Sequence, residues 1–337
     1  MNRNLLICLA FVLTTIGTAF GQSHAFLWDP ATGLRDLGTL GGDSFAYAIN
    51  DSGTVVGTYI PSDGRWYQHG FIWSEATGMV DLGVPGGGDS MTAVCQPTAI
   101  NSAGHVVGYG RQVDGRQVAF YWTPEDGFTV LTINSSNADN GNTAYAINDL
   151  DQVTGNFLIK DRSLLYHAYF WTPGLPHLRD LGVLDGDNYS DGNGINNLGE
   201  IAGGSLSTRV DNMWNPITWT KRNGMQFLGV VPDAIETWAV GINDAGQIIG
   251  LDQTGASDRT FYTAPGIGLK FLKGLGGNTT YGVAINQSGV IVGSANDTAS
   301  ATYGVMWATP TSTPTIIPLI AHGLNNVGQV VGYAAAQ

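Results

Sequence analysis

One segment returns seven times along the chain: AINDSGTVVG from Ala48, AINSAGHVVG from Ala99, AINDLDQVTG from Ala146, GINNLGEIAG from Gly194, GINDAGQIIG from Gly241, AINQSGVIVG from Ala284 and GLNNVGQVVG from Gly323. The copies lie about 46 residues apart. A second ladder (AFLW, GFIW, AFYW, AYFW, PITW, TFYT, GVMW) ends at Trp28, Trp73, Trp122, Trp171, Trp219, Thr263 and Trp307. A third, DLG, is clear at Asp36, Asp81 and Asp180 and fades elsewhere. A fixed period of this length means that each copy is one supersecondary unit, which buries its apolar face only by stacking on its neighbours.

Each unit reads as four strands. In the first, the residue two before each repeat Asn is always Ala or Gly and the next is always Ile or Leu. Alternate side chains of a strand point to opposite faces, so one face is aliphatic and the other lacks bulk, as expected where units crowd around an axis. Asn-x-x-Gly follows in six copies, a type I turn signature; the third copy carries Asp151 in place of the glycine. The second strand ends at a glycine in every copy, from Gly57 to Gly332, leaving room for an aromatic ring from the third strand. The third strand is HAFLW and its equivalents, and a Pro/Gly turn leads to the fourth, LRDLG. With 48 glycines in 337 residues and only 12% charged residues, turn-dense β structure is favoured over helices. The expected fold is all-β: a seven-bladed β-propeller with four-stranded antiparallel blades. Residues from His24 supply a third and fourth strand, and residues from Ile320 a first and second. One composite blade from both ends of the chain therefore closes the ring and leaves no open seam.

The HAFLW, DLGTLGG and AIN..G.VVG pieces together resemble the extracellular HAF repeat family, named for the HAF at His24 to Phe26, and cover nearly all of residues 22–337. The resemblance implies a bacterial exported or surface protein built from tandem repeats. It carries no catalytic residues with it.

The chain opens MNRNLLICLAFVLTTIGTAFGQ, with one positive charge at Arg3, an apolar run to about Phe20 and small residues at Ala19 and Gly21. This is the pattern of a secretory signal cleaved before Gln22, and the run is shorter than the ~20 apolar residues of a membrane span. Domains are expected as a signal peptide over 1–21 and one propeller over 22–337, secreted to the periplasm or beyond, monomeric and with no membrane span. Cys95 is then the one remaining cysteine, read as a buried structural thiol, and no intramolecular disulfide forms. A net charge of -13 excludes a nucleic-acid binder, which needs a basic surface.

Residues that recur in every blade read as architecture: the Asn residues as turn caps, the tryptophans as packing between blades, and the DLG aspartates as solvated. Short uniform turns occupy one end of the blades and long irregular connections the other, so the irregular end is the expected working face. The loops entering the inner strands carry Asp43, Asp89, Asp139, Asp185, Asp187, Asp191, Asp233, Glu236 and Asn278. These candidate ligand-binding oxygens suit a hydroxylated ligand such as a carbohydrate, or a hard cation. Asp185, Asp187 and Asp191 in DGDNYSDG partly match a calcium loop, lacking its distal Glu; calcium is the one cofactor this reading admits, and none is required. Asp63 with Arg65, Asp114 with Arg116, Asp161 with Arg162, Arg209 with Asp211, and Asp258 with Arg259 read as rim salt bridges. No HExxH, GxSxG or GxxxxGK run is present, and His322 stands alone on the last inner strand. The sequence therefore favours a non-enzymatic module that binds a carbohydrate or an extracellular protein. The alternatives are glycan cleavage by mouth carboxylates and a purely structural surface repeat.

Overall fold

The computed structural model describes residues 22–62, 67–86, 94–112, 114–133, 141–159, 165–206, 213–229, 234, 236–254 and 257–335. The expected signal segment 1–21, Asp89, Asp139 and Asp233 lie outside them, as do Asp63, Arg65, Asp161, Arg162, Arg209 and Asp211. Among the described residues there is no helix, and the strands form seven four-stranded antiparallel sheets arranged as the blades of a ring.

Blade 1 runs from the axis outward as Ser44–Ile49, Val55–Tyr59, His69–Ser74 and Gly78–Gly83. Blades 2 to 6 follow in chain order, with inner strands Val94–Ile100, Thr143–Ile147, Tyr189–Ile195, Glu236–Ile242 and Gly276–Ile285. The closing blade takes Ile320–Leu324 and Val330–Ala335 from one end of the chain and Ser23–Asp29 and Gly33–Asp36 from the other. Phe26 lies opposite Gly332 and Trp28 opposite Val330.

Every inner strand carries a bulge just before the small residue of the repeat, and Tyr47, Thr98, Tyr145, Asn193, Val240, Val283 and His322 are the residues skipped by the pairing. The repeat glycine does not end the second strand, as its spacing suggests, but is the third residue of a strand that runs on past it, and it faces this bulge. A Cβ on Gly57 would collide with the Phe45 carbonyl and stand 2.8 Å from the Phe71 ring, and Gly108 is held likewise by Gln96 and Phe120. The ring that covers the glycine is fully buried in both cases, a burial that contributes about 1.5–3 kcal/mol per side chain. Nearer the axis a Cβ on Gly194 would come within 3.1 Å of Gly241 in the next blade, which explains the small residue at that position.

The core lies between blades. Val107, Ala119 and Tyr121 of blade 2 pack with Ile147, Val153 and Trp171 of blade 3, and Phe26 and Ala321 of the closing blade with Val292 and Ile317 of blade 6. Trp171 lies 5.3 Å from the Tyr121 ring, and Trp219 stacks on Phe170 of the preceding blade at 6.2 Å. The repeat tryptophans therefore join blades, as the sequence suggests. Cys95 is a free, buried thiol that burial pushes far above its ordinary range.

The DLG aspartates correct one expectation, because they are not simply solvated. Asp36 lies 2.8 Å from His24 Nδ1 and accepts the Gly38 N–H at 2.7 Å. Asp180 repeats both contacts with His167 and Gly182, and Asp81 pairs with His69 at 3.6 Å while accepting the Gly83 N–H. The His of HAF and the Asp of DLG are thus one device that ties the third strand to the fourth. In blade 5 the equivalent positions hold Arg259 and Phe271, and the guanidinium stands 3.8 Å over the ring.

Candidate binding sites at the two ends of the channel

At the tight-turn end the repeat Asn does two jobs. Asn50 Oδ1 accepts the N–H groups of Ser52 and Thr54, closing its own turn. Its Nδ2 donates to the Asn101 carbonyl of the next blade at 3.0 Å. The same bond runs from Asn101 to Asn148, then to Asn196, Asn243, Asn286 and Asn325, and returns from Asn325 to Asn50, all within 2.8–3.2 Å. All seven side chains are buried and would be costly to leave unpaired. An outer run of bonds lies above them, in which each backbone N–H meets the next blade's side chain. It goes from Ser102 to Asp149, Asn197, Asp244, Gln287, Asn326 and Asp51 at 2.7–2.9 Å.

These rings frame a cavity of about 150 Å³ lined from all seven blades, with Ile49, Ile100 and their equivalents beneath the polar rim. Burial raises the Asp149 carboxyl, but the donors on Ser102 and Asn197 outweigh it and hold the group below the usual carboxylate range. The carboxylates Asp51, Asp149 and Asp244 were not singled out from the sequence. The signal was present in the residue after each repeat Asn, which reads Asp, Ser, Asp, Asn, Asp, Gln, Asn around the ring.

The third turn keeps the geometry of the others despite its missing glycine. Asp151 adopts φ 56°, and its N–H still reaches the Asn148 carbonyl. Its carboxylate accepts from Asn101 Nδ2 at 2.8 Å and meets His105 Nδ1 at 2.7 Å. In blades 3, 4, 5 and the closing blade, Gln152, Glu200, Gln247 and Gln329 accept from their own Asn. His105 stands at that position in blade 2, and Asp151 supplies the acceptor from the neighbouring blade.

At the irregular end the proposed oxygens have separate employments. Asp43 accepts the Ser23 N–H at 2.8 Å and so anchors the third strand of the closing blade. Asp185 is exposed on a turn that Asp187 closes through its N–H to the Leu184 carbonyl. Asp191 lies within an inner strand, where it accepts from Asn156 Nδ2 at 2.7 Å, and burial pushes its carboxyl up to about 7. Glu236 opens the inner strand of blade 5 half-buried, its carboxyl also raised by burial, and Asn278 is exposed. Among the described residues no three acidic, His or Cys side chains gather into a metal-holding group; Asp185, Asp187 and Asp191 are therefore not a preformed three-carboxylate calcium site.

Beside them stands an aromatic run that sequence reading missed. Tyr166, Tyr189 and Trp214 each lie at the irregular end of a strand in blade 3 or 4, with centroids 5.5 Å apart from Tyr166 to Tyr189 and 5.1 Å from Tyr189 to Trp214. Tyr189 and Asp191 share one face of their strand. Among the described residues, no donor reaches the buried Asn156 Oδ1.

Two further residues are reassigned. Arg259 pairs with fully buried Asp252 at 2.6 Å rather than with Asp258, whereas Arg116 and Asp114 do form the expected exposed pair. His322 is a packing residue, stacked on Tyr47 at 5.3 Å with Nδ1 3.0 Å from the Ala46 carbonyl, and burial pushes it down to about 4.

No family model matches the chain, and no curated protein matches it. Solved propellers share its fold. A prolyl endopeptidase aligns with a TM-score of 0.57 at 13% identity over 82% of this chain and 43% of its own. A puromycin hydrolase gives 0.55 at 12% identity over 87% and 50%, and TolB from Acinetobacter baumannii gives 0.48 at 12% identity over 75% and 63%. The chain thus spans less than two thirds of each of these proteins. Among the described residues no helix is long and apolar enough to cross a membrane.

Proposed function

We propose that this chain is an exported, monomeric propeller of HAF-type repeats that binds carbohydrate without cleaving it, at the irregular end between blades 3 and 4. The observation that carries the reading is the half-buried pair Tyr166 and Tyr189, backed by buried Trp214, beside Asp191 and Asn156. Aromatic rings with polar tips offer an apolar face to a sugar ring and a hydrogen bond to its edge. A carboxyl held near neutrality offers both donor and acceptor forms to vicinal hydroxyls. The HAF motifs and the leading segment support export. Calcium belongs to this reading only as an ion shared between Asp185, Asp187 and a bound sugar.

A glycan array probed with and without calcium tests the proposal. The wild type should bind a restricted set of polysaccharides, Tyr189→Ala should lose them, and Asp187→Asn should weaken them. No binding to any glycan, or binding untouched by Tyr189→Ala, would refute it. Release of reducing sugar by the wild type would replace binding with cleavage.

A further inference from the structure

The tight-turn end carries apolar residues that the fold does not require. Among the described residues, the three most exposed large apolar side chains are Leu198 at 69%, Val327 at 64% and Leu150 at 60%. All three occupy the third place of an Asn-x-x-Gly or Asn-x-x-Asp turn. The other four turns hold Ser52, Ala103, Ala245 and Ser288 there and form the same hydrogen bonds, so the turn itself gains nothing from Leu or Val. Leu150 and Leu198 are carried on adjacent blades whose turns are tied by Asp149 N–H to Asn197 Oδ1 at 2.9 Å. Just inside them the carboxylates Asp51 and Asp149 line the cavity, and Asp244 belongs to the same outer run of bonds. Exposed apolar surface beside a ring of one charge sign is the composition of an interaction site.

We propose that this end docks a partner protein through a segment that directs a lysine or arginine into the acidic mouth and lays apolar residues on Leu150 and Leu198. Charge complementarity selects this occupant. A second copy of the chain would bring the same carboxylates and a net charge of -13 against themselves. The cavity, about 150 Å³, is smaller than the ~300 Å³ at which small-molecule pockets begin, which suits one protruding side chain. Electrostatic matching of this kind sets partner choice and encounter rate. The surface lies opposite the proposed carbohydrate site and does not depend on it.

The test is fluorescence anisotropy with the labelled, amidated peptide Leu-Phe-Lys-Phe-Leu, with Leu-Phe-Glu-Phe-Leu as its control. The lysine peptide should bind in a salt-dependent manner and the glutamate peptide should not. The double variant L150S/L198S places in both turns the residue that sister turns already hold, so it should fold, and its binding should be about tenfold weaker. Asp149→Asn should weaken binding as well, while Asp187→Asn at the opposite end should leave it unchanged. Absence of binding by the wild type, equal binding of the two peptides, or equal binding by L150S/L198S would overturn the proposal. A dimer in sedimentation that dissolves in L150S/L198S would also overturn it, by making a second copy the occupant.

Discussion

The Asn325 side-chain amide donates to the Asn50 carbonyl at 3.0 Å, joining residues 275 positions apart in the sequence. It is the last link of the seven-membered ring and lies at the junction between the closing blade and blade 1. Ala25 and Val331 of the closing blade meet Ala46 and Phe71 of blade 1 in one apolar cluster at the same junction. Truncation after Leu319 would remove Ile320–Leu324 and Val330–Ala335, leaving Ser23–Asp29 paired only with Gly33–Asp36 and two neighbouring blades uncovered. The expected outcome is loss of cooperative unfolding, followed by circular dichroism in a urea series. A truncated chain that melts as sharply and as high as the full one would show that closure contributes nothing.

A single member of the Asn ring should also be costly to remove. Asn148→Ala would delete the acceptor for the N–H groups of Leu150 and Gln152 and the donor to the Asn196 carbonyl. Loss of a cap costs ~1 kcal/mol and a buried group left unpaired ~1–3 kcal/mol, so a destabilisation of about 2–3 kcal/mol is expected from urea midpoints. Leu150→Ala in the same turn should change stability by less than about 0.5 kcal/mol.

The blade count, the strand order, the composite closure and the glycine slot under Phe71 were legible because they repeat, and repetition exposes spacing to a single sequence. What cannot be read is reach between blades. Asn50 looks like a turn cap because its contacts to Ser52 and Thr54 are local, while its bond to Asn101 spans 51 residues. Asp36 looks solvated in the sequence because its partner His24 sits in another motif, although both residues are present in the closing blade, blade 1 and blade 3 and both are replaced in blade 5. Arg259 sits beside Asp258 in the sequence, yet the ladder turns it toward Asp252, directly opposite on the second strand. Of the irregular-end oxygens, Asp43 serves the fold and Asp191 reaches Asn156; Tyr166, Tyr189 and Trp214 come together only across two blades.

At Asp151, local strain and a long-range bond oppose each other. Glycine would relieve the φ of 56°, worth ~1 kcal/mol, but would remove the acceptor for Asn101 and His105, worth ~1.5–3 kcal/mol for a charged group. Asp151→Gly should therefore be destabilising by about 1 kcal/mol. The double variant Asp151→Gly with His105→Gln restores the arrangement of the other blades and should recover that loss. A gain in stability from Asp151→Gly alone would mean that strain dominates. A double-mutant cycle in urea separates the two.

Asp191 and His322 should give the fold two opposing pH limbs. The Asp191 carboxyl is pushed up to about 7 in the folded chain from an ordinary 3.8. Between those values the folded state keeps a proton that the unfolded state has released, so its contribution falls as pH rises and is fully unfavourable above 7. His322 is pushed down to about 4 from 6.5. Between those values the unfolded state takes a proton that the folded state refuses, so stability falls as pH drops through that window. Asp191→Asn keeps the shape and removes the charge. It should stabilise the protein at pH 8 by on the order of 2 kcal/mol, discounted for partial solvent access, and by less than half as much at pH 5. His322→Gln can still donate to the Ala46 carbonyl but loses the stacking on Tyr47. It should be destabilising at pH 8, with the deficit narrowing at pH 5, where wild-type His322 is held neutral at a cost. Urea denaturation at the two pH values measures both. An Asp191→Asn gain equal at pH 5 and pH 8 would mean that the carboxyl is already ionised in the fold at pH 5 and that Asn156 is donating to a carboxylate.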